Sequence, residues 1–337
     1  MDGLARDAQS PLIRKVRLEP SMTTASTPRA IAALLFATTA WGSLFLIGKP
    51  VVARLDPVWF TLLRYVLATA VLALLVQFAG EHPWAKLRRH ALRHSLVGVA
   101  GYGLFSIMVF HGLRLSLPSH GSVIMATMPF TTLALRWALD GQRPPLRAIA
   151  GATLALAGVA TVANLLGHAG EVNARTLLGD ANTLAGTLGW VLYTRSMAKL
   201  PDHSPLEYAA LTAIAALPWL AVVAGLATLV GWAQAPSFEL VQALSPKLAY
   251  IALVPTVAAV LAFNAGVKKL GAPMGTLFLN MVPVSVIAVR AVMGEAPHAT
   301  EILGAALVGM GLALTVWTPA AARKPVLATT AGSRCTA

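Results

Sequence analysis

The chain has 337 residues, of which 57% are hydrophobic and only 12% charged, with a net charge of +13. Soluble domains carry about 25% charged residues, so half that share cannot coat a water-exposed surface, and a soluble enzyme is excluded. The basic excess would suggest nucleic acid if it formed a stripe, but here lysine and arginine punctuate long apolar runs. The single cysteine, Cys335, allows no internal disulfide and no cysteine-based metal site.

Residues 1–29 are polar and basic, with Arg6, Arg14, Lys15, Arg17 and Arg29, and read as a disordered tail. Met22, just before the first apolar run, is a candidate translation start. A bilayer core about 30 Å thick needs about 20 apolar helical residues. Ten stretches meet that demand: 30–50, 57–79, 95–113, 119–139, 148–166, 177–197, 206–230, 248–267, 273–293 and 302–318. The first is followed within a few residues by the second, which is not the layout of a cleaved signal peptide. Residues 319–337 form a second polar tail. The expected fold class is all-α: a polytopic membrane protein with ten transmembrane helices.

Positively charged loops stay on the cytoplasmic side. With the N-terminus inside, seventeen lysines and arginines fall in inner segments and four (Arg54, Arg114, Arg175, Lys247) in outer ones. Both termini are therefore expected in the cytoplasm, and the location is the cell (inner) membrane. Five basic residues, Lys49, Arg64, Arg136, Arg195 and Arg290, lie in the spans or at their ends.

The second half repeats the first. Gly121, Pro129 and Arg136 return in order as Gly275, Pro283 and Arg290, and Gly141, Pro144, Gly151 and Gly158 return as Gly294, Pro297, Gly304 and Gly311. Pro57 returns as Pro205. Five spans per half is an odd number, so residues 30–166 and 177–318 would be two inverted five-helix repeats. Such repeats recur in secondary transporters. Pro129 and Pro283, near the middle of their spans, are expected to bend them.

These positions carry a family resemblance. Trp41-Gly42, Lys49, Asp56-Pro57, the stretch from Phe60 to Arg64, and the glycines and Pro129 of the first half are joined by 181–195, Met274-Gly275, Pro283 and Gly294-Glu295 in the second. Over about residues 30–318 the chain resembles the EamA-type branch of the drug/metabolite transporter superfamily. That resemblance implies a ten-helix transporter of small organic solutes, often an exporter of amino acids or other metabolites. Two places depart from the family pattern: Gly141-Gln142 stands where it has Gly-Glu, and Thr212 stands where the second repeat would carry the counterpart of Arg64.

A central arginine costs about 2.5–3.5 kcal/mol on insertion scales, while each strongly apolar residue returns about 0.3–0.6. The twelve Val, Leu and Phe residues around Arg64 let its span insert. Its side chain then faces protein or a cavity, either as an anchor for an anionic group such as a carboxylate or as a structural arginine bonded to carbonyls. Trp41 and Phe45 are spaced i, i+4, and Trp190 and Tyr193 i, i+3, on spans that are repeat mates. With Tyr102 and Phe105 they could wall a central cavity, and Asn264 and Asn280 could bind the polar end of a solute; packing is the alternative for all of them. No acidic residue lies in mid-span, which disfavours an acidic proton relay and leaves His111, or His120, as a possible coupling residue.

No catalytic residue, metal site or cofactor is expected. The phosphate-loop pattern is absent, the histidines are scattered singly, and no paired carboxylates mark an intramembrane enzyme. The expected partners are a small-molecule substrate and membrane lipid, without nucleic acid, for a monomer or homodimer. The competing readings are an integral-membrane enzyme and a channel or scaffold without alternating access.

Overall fold

Helix starts are written in the local chemistry. An Asx or seryl oxygen accepts the free N–H groups of a first turn, and proline at the first position loses nothing by lacking its own. Asp56 accepts from Val58 N–H at 2.9 Å ahead of Pro57. Asn173 and Ser204 each build a reciprocal capping box, with Thr176 and Glu207. Ser237 accepts from Leu240 N–H.

The computed structural model describes residues 26–79, 83–116, 118–163 and 173–316, and all regular structure among them is helical. In chain order the helices are α1 (Ser26–Val52), α2 (Pro57–Phe78), α3 (Trp84–Arg89), α4 (Ala91–Leu115), α5 (Pro118–Met125), α6 (Met128–Asp140), α7 (Leu146–Val162) and α8 (Ala174–Met197). They continue as α9 (Pro205–Leu229), α10 (Phe238–Leu270), α11 (Ala272–Phe278), α12 (Met281–Val292) and α13 (Ala299–Val316). α4 and α10 each contain one π-helical stretch, Val99–Leu104 and Ala252–Ala258. Of the tails expected at 1–29 and 319–337, residues 26–29 belong to α1, and the rest, with Met22, lies outside the described residues.

Six of these helical runs are long and apolar enough to cross a membrane: α1, α2, α4, α9, α10, and α11 with α12. α7 and α13 are apolar but shorter. Two of the ten expected spans differ for identifiable reasons. The run 119–139 is interrupted at Ala126–Thr127, and α8 is too polar, carrying Arg175, Asp180, Asn182 and Arg195 besides its threonines. Thr176, Thr183, Thr187 and Thr194 of α8 are buried, and Gly186 and Gly189 lie against α4, so this helix is solvated by protein.

Three expectations need correction. The span expected at 248–267 begins at Phe238, because Ser237 caps it and Leu240, Leu244, Leu248 and Ile251 form an inward stripe while Glu239, Gln242 and Lys247 stay exposed. Lys247 is therefore helical and not a loop residue. Nor do Pro129 and Pro283 bend a continuous helix. The chain breaks just before them, at Ala126–Thr127 and Leu279–Asn280, and each proline sits in the first turn of the following helix, where its missing N–H has no cost.

Corresponding helices of the two halves pack antiparallel. Gly151 of α7 meets Gly311 and Thr315 of α13, while Gly158 meets Gly304 and Val308. A Cβ added at Gly158 would stand 2.6 Å from the Gly304 carbonyl oxygen, so only glycine permits this approach. α2 likewise runs against α9: the Trp59 indole at the start of one donates to Thr228 near the end of the other, at 2.9 Å. α1 lies against α10, and α8 against α4. A cavity remains at the centre, where α1, α2, α4, α8 and α10 meet the broken segments α5–α6 and α11–α12.

Candidate functional site

Arg64 lies one turn beyond Phe60 on α2, a spacing that puts both on one helix face. It is 4% exposed, and its guanidinium is 4.7 Å from the centroid of the Tyr65 ring, 5.2 Å from Phe60 and 5.6 Å from Phe110. These faces offer cation–π attraction, which grows when the cation is desolvated. Nη2 donates to Ser106 Oγ at 2.5 Å, Nε has no acceptor, and no carboxylate pairs with the group among the described residues. A guanidinium has five N–H donors, so most of this capacity is unspent.

Trp41, Arg64, Tyr65, Phe105, Phe110 and Trp190 form the aromatic and cationic part of the central cavity wall; Met125, Met128 and Val282 are among its apolar part. Trp41 packs edge-on to Trp190 with centroids 5.3 Å apart and donates its indole N–H to the Pro255 carbonyl at 2.8 Å. Pro255 also forces the π-helical stretch of α10. Its missing N–H frees the carbonyl of Ile251, which takes the Thr256 hydroxyl at 2.8 Å instead. The indole N–H of Trp190, a residue only 4% exposed, has no acceptor among the described residues.

The expected wall residues thus divide. Trp41, Arg64 and Trp190 line the cavity, and Tyr102 and Tyr193 do not. Those two stand beside it in a closed ladder: Tyr102 donates to Tyr193 at 2.8 Å, Asn264 donates to Tyr193 at 2.8 Å, Thr212 bonds Tyr102 at 3.2 Å, and the Tyr208 hydroxyl donates to the Tyr193 carbonyl at 2.5 Å. The side chains of Phe45 and Lys49 lie outside the described residues.

Asn280 sits in the break between α11 and α12, 1% exposed, with neither side-chain amide atom hydrogen-bonded. It borders a second cavity that shares Met125, Leu279 and Val282 with the central one and runs to Arg290, which pairs with Glu295 at 2.7 Å and Glu301 at 2.9 Å. The matching region of α6 to α8 pairs Arg195 with Asp140 at 2.6 Å and Arg136 with Gln142.

His111 is exposed, bonds Asn182 at 3.1 Å, and lies in a polar cleft with Arg54, Asp56, Arg114 and Arg175, apart from the central cavity. His120 pairs with Asp180 at 2.9 Å. At the opposite end of the molecule His94 and His203 are buried with Nε2 atoms 3.1 Å apart, beside a Lys86–Glu207 pair at 2.7 Å. Desolvation, and then the charge of Lys86, hold the His203 imidazole below its ordinary range. Among the described residues no group of three His, Cys, Asp or Glu side chains is placed to hold a metal ion.

The residues that sequence reasoning passed over are Tyr65, Ser106 and Phe110. Tyr65 adjoins Arg64 in the chain and was within reach; Ser106 and Phe110 sit on another helix, and nothing local to Arg64 marks them.

Comparison with known proteins completes the picture. The sequence profile of the EamA-like transporter family matches twice, over residues 28–164 and 177–317. The "Uncharacterized transporter YrdR" of Bacillus subtilis (strain 168) is 26% identical over 288 residues, covering 83% of this chain and 88% of that one. The "Uncharacterized transporter YetK" of the same organism is 26% identical over 301 residues, covering 85% and 86%. A crystal structure, 18% identical, superposes with a TM-score of 0.69 over 86% of this chain and 96% of its own, which shows a shared fold.

Proposed function

The chain belongs to the EamA-like transporter family and is a multi-pass membrane protein; from that premise we propose that it is a secondary transporter exporting small organic metabolites by alternating access. The observation that carries this reading is the central cavity, closed in by both halves and containing a buried cation that pairs with no carboxylate among the described residues. A buried unpaired charge is costly and has no packing role that an apolar residue would not serve better. A solute bearing the opposite charge gives it a purpose.

Two inverted five-helix repeats, 30–166 and 177–318, would supply the motion. In support, each half has a π-helical stretch (in α4 and in α10) and a span broken before a proline (α5–α6 and α11–α12), and the mates α2 and α9, like α7 and α13, run antiparallel. Arg136, held by Gln142 beside the Arg195–Asp140 pair, and Arg290, held by Glu295 and Glu301, occupy corresponding places at opposite ends, and these groups would serve as the inner and outer gates. The lysine and arginine distribution favours cytoplasmic termini in the inner membrane. Substrate and lipid would be the partners, with neither nucleic acid nor cofactor involved, for a monomer or homodimer. Amino acids are among the candidate solutes, and the family resemblance supplies the outward direction.

Purified protein in liposomes, assayed for exchange of radiolabelled organic acids and amino acids across the bilayer, tests this reading. Saturable flux that Arg64→Gln abolishes is the expected result. Flux that never saturates would favour a channel, and solute turnover without flux an enzyme.

A further inference from the structure

We propose that the central cavity selects organic anions with an apolar or aromatic body and no ammonium group: monocarboxylates in preference to zwitterionic amino acids. This rests on the cavity being the transport site and narrows what that site accepts.

Hydrogen-bonding capacity around the cavity is unevenly met. Arg64 spends one bond on Ser106 and leaves Nε without an acceptor, and Trp190 leaves its indole N–H without one. Both residues line the cavity. Two neutral oxygens beside it already accept: the Pro255 carbonyl receives the Trp41 indole, and the Ser106 hydroxyl receives Arg64. The Thr256 hydroxyl donates to the Ile251 carbonyl, so only neutral oxygen lone pairs are left to accept there. No carboxylate is among the described lining residues. The described wall therefore offers a cationic donor and an indole N–H without a charged acceptor, which is the complement of a carboxylate.

An ammonium group would fare badly in the same space. It would leave water without a counter-charge and sit near a guanidinium of its own sign. The aromatic faces that could substitute for a counter-charge are engaged. Phe60, Tyr65 and Phe110 surround Arg64, and Trp41 and Trp190 pack against each other.

The test uses ligand pairs that differ only by the amine, with full-length protein in detergent and tryptophan fluorescence as the readout of binding: 3-phenylpropionate against L-phenylalanine, and 4-methylpentanoate against L-leucine. Each acid is expected to bind about 30-fold or more tightly than its amino acid, the penalty for an uncompensated buried charge. Arg64→Gln, checked for a monodisperse elution profile, is expected to lose the acids; Arg64→Lys, which keeps the charge without the fork, is expected to keep the preference at lower affinity. Equal or tighter binding of the amino acids overturns the proposal, as does the absence of carboxylate binding to folded protein. The same pairs in liposomes separate the two readings. Acids that bind without crossing end the transport reading and leave the anion site standing, whereas preferred flux of amino acids keeps transport and overturns the anion site.

Discussion

Arg64 and Thr212 occupy the same place in the two halves, each seven residues into the helix that a capped proline begins, yet their surroundings are opposites. Around Thr212 every polar group is used: its hydroxyl bonds the Tyr208 carbonyl at 2.6 Å and Tyr102 at 3.2 Å, and Tyr102 passes the chain on to Tyr193 and Asn264. Around Arg64 the groups are left open and a cavity remains. The facing residue explains the difference. Tyr102 is the fourth residue of the π-helical stretch in α4, and Pro255 is the fourth residue of the one in α10. A tyrosine fills the gap beside Thr212, and a proline leaves it empty beside Arg64. One duplicated frame has thus given a packed support on one side and a site on the other.

The sharpest way to break this contrast is Thr212→Arg, which restores the first half's residue in the packed half. An uncompensated charge buried there should cost about 3–5 kcal/mol, and size-exclusion chromatography should find aggregate. A well-folded variant would mean that the ladder is looser than its closed bonding implies. Arg64→Met should do the reverse: the thermal unfolding midpoint stays level or rises, because an unpaired cation is replaced by an apolar chain, while affinity for 3-phenylpropionate drops about 100-fold. A lower midpoint with affinity intact would make Arg64 a structural residue.

Tyr193→Phe tests the ladder more gently. It strips the acceptor from Asn264 and Tyr102 and should cost about 1–3 kcal/mol, with solute affinity unchanged once folding is matched. Smallest of all is a pH effect at the end of the packed half, where His203 is held below its ordinary value of 6.5 by desolvation and by Lys86. The unfolded chain then binds the proton first, so this contribution to stability is complete above pH 6.5 and declines as pH falls through and below it. Between about pH 7.5 and 5.5 the unfolding midpoint of the wild type should fall further than that of His203→Gln.

Much of the frame was legible in the chain. Helix starts at Asp56, Asn173 and Ser204 are local signals, and the duplicated glycines and prolines mark α7 and α13 as repeat mates before any contact is known. Where reading failed, a local signal misled. Polar residues at the start of α10 shortened the expected span, although they belong to one exposed face of a helix. Pro129 and Pro283 looked like bends because a break before a proline and a bend at one leave the same trace in a sequence.

For the site, the sequence by itself singled out Arg64, since a cation among twelve strongly apolar residues is anomalous on any transfer scale. It also fixed that the chain belongs in a membrane, because hydropathy is a sum over neighbours in the chain. What the cation meets was decided only in the tertiary structure. Trp41 and Trp190 reach the cavity, while Tyr102 and Tyr193, equally aromatic and equally well spaced, close a ladder beside it. The satisfaction of a buried polar group depends on partners far away in the chain, Ser106 and Phe110 for Arg64, Asn264 for Tyr193. Helical periodicity carries no record of those partners.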